Sequence, residues 1–178
     1  MTSLDKNTIV KYEKLKNSFL NHICIYIKSE FQPKNLLGSF VDNWYAYAKE
    51  ANNINYFVNK NGNPIWFNNP NPKKHKLALL NMDFISEDAM NVINGFSEKP
   101  LVKDHSVPIN EIFNLFDRKN INRNQVEQTL LKYCRLGVIT KVEDENLNSK
   151  GLRSKMPEKW DNVFARYEKI GLINSKIT

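Results

Sequence analysis

In residues 9–31 the apolar side chains Tyr12, Leu15, Phe19, Ile23 and Ile27 return every three or four positions. Only a helix gathers residues at that spacing onto one face. The N-terminal part of the chain is therefore expected to be a long amphipathic helix whose apolar stripe needs a partner. Pro33 ends it, because a proline has no amide proton and its ring clashes with the preceding turn. A second helix is expected over residues 36–51, with Leu37, Phe40, Val41, Trp44 and Ala48 on its buried face. His22 falls in the first helix, where a histidine reads as packed or solvated before it reads as a ligand. Cys24 and Cys134, the only cysteines, read as small buried hydrophobes in a reducing compartment.

A length of 178 residues and a hydrophobic content of 41% allow a real core. The expectation is a single domain over 1–178, with 1–72 and 73–178 as possible subdomains. No run approaches the roughly 18 apolar residues of a membrane span. The start Met1-Thr2-Ser3-Leu4-Asp5-Lys6 lacks the basic and apolar segments of a secretory signal. A cytoplasmic protein is expected, with no membrane partner. Lys and Arg number 26 against 19 Asp and Glu, a net charge of +7. Such a surface favours polyanions, since each phosphate contact releases counterions, so DNA or RNA is the expected partner. Lys73, Lys74, His75 and Lys76 form one basic run, and many more cations are spread through the second half.

Residues 52–72 are rich in Asn and Pro. Asn61-Gly62, flanked by Tyr56-Phe57-Val58 and Ile65-Trp66-Phe67, predicts a β-hairpin, because both central positions tolerate positive φ. Its aromatics could stack on bases but more often pack on neighbouring helices. The run Asn68-Asn69-Pro70-Asn71-Pro72 reads as a loop and a subdomain boundary. Beyond residues 75–84, Ser86 caps a helix with an acidic first turn, and Gly95 ends it.

In the second half Pro108 suits the first turn of a helix carrying Ile109, Ile112, Phe113 and Phe116. Asn122 and Gln125 fit a capping box for a further helix with Val126, Leu130, Tyr133 and Cys134, stopped by Gly137. Followed by Val138-Ile139-Thr140, this could be a winged-helix core, with Arg123, Asn124, Gln125 and Gln128 reading DNA. Thr140-Lys141-Val142-Glu143 argues against a wing, because it is itself a capping box. The acidic triplet Glu143-Asp144-Glu145 would also repel phosphate. A last helix is expected over 160–170, with Trp160 and Phe164 as core anchors.

The segment Asp104-His105-Ser106-Val107-Pro108 resembles the "DH-x-x-P" opening of the HNH nucleases. That resemblance implies His105 as the general base and Asp104 as a ligand to a divalent metal, Mg²⁺, Mn²⁺ or Zn²⁺. Asn120, Asn122 and Asn148 are candidate closing ligands by residue type, and Glu143 or Asp144 a further one. Arg153 and Lys155 would hold the phosphate. More broadly, residues 103–172 resemble a pattern of uncharacterised bacterial proteins at the Asp104–Pro108 motif, Ile139-Thr140-Lys141-Val142-Glu143-Asp144, Gly151-Leu152-Arg153-Ser154-Lys155-Met156-Pro157 and Ala165-Arg166-Tyr167. This implies that these polar groups belong to one structural unit. In the simpler reading Glu143 caps its helix and Arg166 forms an ion pair. The fold expected is a mainly helical α+β protein with long N-terminal helices, a central β-hairpin and a C-terminal helical unit. Its function would be a nucleic-acid-acting one, either as an HNH-like endonuclease or as a non-catalytic DNA-binding or protein-interaction factor.

Overall fold

The computed structural model describes residues 5–29, 36–48, 57–59, 61, 63–65, 70–172 and 175, which form a mainly helical α+β protein. The chain divides into two compact units, both discontinuous in sequence. One comprises Met1–Trp66 and Phe113–Lys132, the other Phe67–Ile112 and Tyr133–Thr178.

In the first unit, α1 (Lys6–Lys28) starts at Asp5, whose carboxylate accepts from Thr8 N at 2.9 Å and from Thr8 Oγ1 at 2.7 Å. Tyr12, Leu20, Ile23, Tyr26 and Ile27 are buried, in keeping with the helical stripe. Helix α2 (Leu36–Ala48) buries Leu37, Val41 and Trp44. The rings of Phe19 and Tyr47 stack at 6.0 Å, and Tyr12 meets Tyr47 at 5.6 Å. The apolar faces of α1 and α2 thus satisfy each other. His22 lies against Phe40, with ring centroids 5.4 Å apart.

The expected hairpin is present as a single antiparallel bridge between Val58 and Pro64. Asn59 N donates to Asn63 O at 2.8 Å, and the Asn59 side chain accepts from the amides of Asn61 and Asn63. Tyr56, Gly62, Trp66 and Phe67 lie outside the described residues.

The second unit holds a three-stranded sheet that sequence periodicity did not reveal. Strand β1 (Phe84–Ile85) pairs parallel with β3 (Leu136–Thr140), which pairs antiparallel with β2 (Leu101–His105). All five residues of the central strand β3 are buried, so it carries no polar–apolar alternation to read. Gly137 is therefore not a helix stop but a mid-strand residue facing Asp104. A Cβ there would lie 3.1 Å from Tyr167 Oη and 3.3 Å from Phe84 Cβ.

The remaining helices follow local signals. Asn71 caps α3 (Pro72–Leu80), accepting from Lys73 N and Lys74 N, with Pro72 in the first turn. Asn71 and Pro72, expected to belong to a loop, thus open a helix that continues to Leu80. Ser86 caps α4 (Glu87–Ile93), and Pro108 precedes α5 (Ile109–Asn114). Helix α6 (Arg123–Tyr133) leads to β3, and Thr140 opens α7 (Lys141–Ser149) with the expected capping box. The last helix, α8 (Ala165–Lys169), is shorter than the expected 160–170. There Asn162 Oδ1 accepts from Phe164 N at 2.7 Å, a local side-chain bond that competes with a helical turn. Trp160 instead packs edge-on against Tyr133, at 5.5 Å. Phe84, Ile139, Leu147, Leu152 and Tyr167 form the buried cluster, with Phe164 packed against it. Among the described residues no helix is long and apolar enough to cross a membrane.

Candidate functional site

Strand β2 ends at Asp104 and His105, and the chain turns there because Ser106 N donates to Arg135 O at 2.9 Å. Into this turn projects Arg166 from α8, a fully buried guanidinium. Its Nε donates to Ser106 O at 2.9 Å. Its Nη1 donates to Leu152 O at 2.9 Å and to Arg153 O at 3.1 Å, and its Nη2 to Asp104 Oδ2 and His105 O. An arginine has five N–H donors, and each one here has an acceptor. Full satisfaction is what allows so large a cation to be buried. Tyr167, next along, donates its hydroxyl to the same Asp104 Oδ2 at 2.7 Å, passing over Gly137.

The charges follow from this geometry. Burial penalises the Arg166 cation, but Asp104 and Tyr167 outweigh that penalty and its pKa stands above the ordinary value. Burial, reinforced by the Asp104 carboxylate, pushes the Tyr167 phenol well above its usual range, so it stays a donor. The carboxylate, the guanidinium and the phenol form a structural lock joining β2, the loop after α7, and α8.

That lock alters the expected roles of the motif. Asp104 commits an oxygen to Arg166 and Tyr167 instead of facing an open metal position. His105 is half-buried at the strand end, with Nε2 shielded from solvent. Glu143 Oε2 accepts from Ser86 Oγ at 2.7 Å and from Thr140 N at 2.6 Å, so one carboxylate ties the starts of α4 and α7 together. Buried Asp144 pairs with Lys141 at 2.6 Å and lies 3.8 Å from Arg153 Nε. Asn148 is exposed on α7, and Lys155 is exposed on the loop that follows. Arg153 does come back to His105, but through its backbone: both carbonyls meet Arg166, while the Arg153 side chain turns to Asp144. Among the described residues no three His, Cys, Asp or Glu side chains converge as a metal set. The residues present therefore do not fit the divalent ion that the HNH resemblance implies. In the structure Asp104 Oδ2 is held by Arg166 and Tyr167, Asn148 is exposed on α7, and the Arg153 side chain lies 3.8 Å from Asp144. Arg166 and Tyr167 are the residues that organise the place. The Ala165-Arg166-Tyr167 triplet was a visible signal, but its targets lie about sixty residues earlier in the chain.

The other candidate is α6. Asn122 Oδ1 accepts from Gln125 N at 3.0 Å and Gln125 Oε1 accepts from Asn122 N at 2.9 Å, completing the expected capping box. Val126 and Leu130 are buried, and Arg123, Asn124, Gln125 and Gln128 are exposed. Arg123 donates to Asn17, and Glu127 lies 3.9 Å from Lys16. Arg118, over the Phe113 ring at 4.6 Å, and Lys119 are exposed just before the helix. The wing of a winged helix does not follow: β3 runs directly into α7 and lies in the middle of the sheet. Comparison with protein-family models, with curated proteins and with solved structures finds no match.

Proposed function

We propose that this protein binds nucleic acid through the exposed polar face of α6 and the cations that lead into it, without cleaving it at His105. The supporting observation is the division of α6 into two faces. Val126 and Leu130 anchor the helix inward, and the turn that starts it shows solvent a guanidinium and three amides. Arg118, Lys119 and Arg123 suit phosphates, while Asn124 and Gln128 carry the donor–acceptor pair that reads adenine edges. The unit holding most of α6 also carries the larger share of the net positive charge. With no wing beside the helix, the affinity rests on few contacts and is strongly salt-dependent.

Fluorescence anisotropy with labelled duplex DNA and RNA over a salt series tests this reading. Arg118→Ala and Lys119→Ala are each expected to lower the slope of log K against log salt by about 0.9, the value for one phosphate contact on a duplex. Asn124→Ala with Gln128→Ala should change sequence preference more than overall affinity. Unchanged binding by all four substitutions would overturn the site. Plasmid or RNA cleavage with Mg²⁺, Mn²⁺ or Zn²⁺ that disappears in His105→Ala would overturn the non-catalytic reading.

A further inference from the structure

Residues of the 70–76, 92–95 and 97–101 segments, all in the second compact unit, line a cleft of about 660 Å³. That volume falls within the roughly 300–1,000 Å³ of small-molecule sites, which combine an apolar lining with a few convergent polar groups. The apolar lining here is Pro70, Val92, Ile93 and Leu101, all buried. Helix α3 opens beside it on Asn71, whose side chain already takes the amides of Lys73 and Lys74. A ligand at this place is therefore met by side chains and not by the helix end. Gly95, at φ 82, closes α4 and belongs to the lining. Phe96, which follows it, is 80% exposed and is not among the lining residues.

Lys73 and Lys76 of α3 both line the cleft. They are exposed and form no ion pair among the described residues. Three positions apart on one helix, they leave the same face with Cβ atoms about 5–6 Å from each other, so both can reach one anionic group. Lys99 also lines the cleft but is held by Asp88. Glu98 is the one carboxylate of the described lining. A pair of solvated lysines is ordinary on a basic protein. This pair borders a cleft with a buried apolar lining, which gives an anion's organic body a place to leave water. Two ammonium groups within one helical turn suit a dianion. A phosphate monoester carries a charge of about −1.5 to −2 at pH 7, and a carboxylate only a single charge. From this juxtaposition we infer that the cleft binds a small organic phosphate monoester. Its phosphate sits between the Lys73 and Lys76 ammonium groups and its apolar body lies on Val92, Ile93 and Leu101. The site shares no residue with the α6 face and does not depend on it.

The test is fluorescence titration of the full chain with naphthyl phosphate. Lys73→Gln with Lys76→Gln should weaken binding about tenfold, the loss of two exposed charge contacts. Lys73→Arg with Lys76→Arg should retain it. Both double variants should keep the wild-type urea midpoint, because the two positions are exposed. Naphthoate, with a single charge, should bind about threefold more weakly than the phosphate. Inorganic phosphate, with no apolar body, should bind at least about tenfold more weakly. Glu98→Gln should tighten binding of the phosphate about twofold by removing a like charge. Equal binding of naphthyl phosphate by wild type and the glutamine pair overturns the inference, as does inorganic phosphate competing as well as the ester. Naphthol binding as tightly as its phosphate would mark an apolar cleft only, and overturns it too. Arg123→Ala, which weakens the α6 face, should leave naphthyl phosphate binding unchanged, and this separates the two sites.

Discussion

The ends of α4 and α7 are built alike and used differently. Each closes on a glycine in the left-handed region, Gly95 at φ 82 and Gly151 at φ 70. In each, the next residue donates back five positions, Phe96 N to Asn91 O and Leu152 N to Leu147 O, both at 2.8 Å. The end of α8 repeats the turn with Gly171, and Leu172 N reaches Tyr167 O at 3.0 Å. Leu147 with Leu152, and Tyr167 with Leu172, are apolar pairs within one buried cluster. Asn91 with Phe96 is not such a pair, and its ring stays in water. Glycine sets the backbone path in all three, because it alone takes positive φ without steric cost. The residue before the turn then decides whether the next side chain becomes core or surface. The α7 turn is held further by Arg166, which binds the carbonyls of Leu152 and Arg153.

The largest expected break is in that reinforcement. Arg166→Met leaves the Asp104 carboxylate and four carbonyls without their donor, and should cost about 3–5 kcal/mol in urea unfolding. A loss under 1 kcal/mol would mean the lock holds little. Next, Leu152→Ala should cost about 2–4 kcal/mol by opening a cavity beside Leu147, while Phe96→Ala should stay within about 0.5 kcal/mol. Similar costs for the two substitutions would erase the distinction between the turns.

A pH series sharpens the lock. The Tyr167 pKa is raised in the folded chain above the ordinary value near 10. Its contribution is therefore fully present below about pH 10 and lost as pH rises toward the folded value. Tyr167→Phe should flatten that alkaline decline relative to wild type; an unchanged slope would show that another group titrates. The smallest effect converts one turn into the other. Asn91→Leu supplies the missing apolar partner and should stabilise the fold by about 0.5 kcal/mol. It should also draw the Phe96 ring down against the helix. No gain in unfolding free energy would contradict the exposed-ring account.

Features decided within one helical turn were legible in the chain alone. Ser86, Asn122 with Gln125, Thr140 with Glu143, and Gly95 all act over three to five residues, and each does what its position implied. Asn71-Pro72 carried the same kind of signal and opens α3 where a loop was read.

The candidate site was less legible. Asp104-His105 has the residue types of a metal-and-base pair, but the destination of a carboxylate depends on which cation folds against it. That cation, Arg166, lies sixty-two residues later. Gly137 was likewise ambiguous. A glycine after a helix reads as a stop until the Tyr167 hydroxyl is found 3.1 Å from where its Cβ would be.

By itself, then, the sequence determined most of the helices and their caps, the apolar stripe of α1 and the net positive charge, because periodicity, capping and charge are properties of neighbouring residues. Tertiary structure alone decided the order β1–β3–β2 and the commitment of Asp104 to Arg166 and Tyr167. Each of these joins or separates groups that are distant along the chain, and the closure of long loops leaves no periodic mark on the residues it brings together.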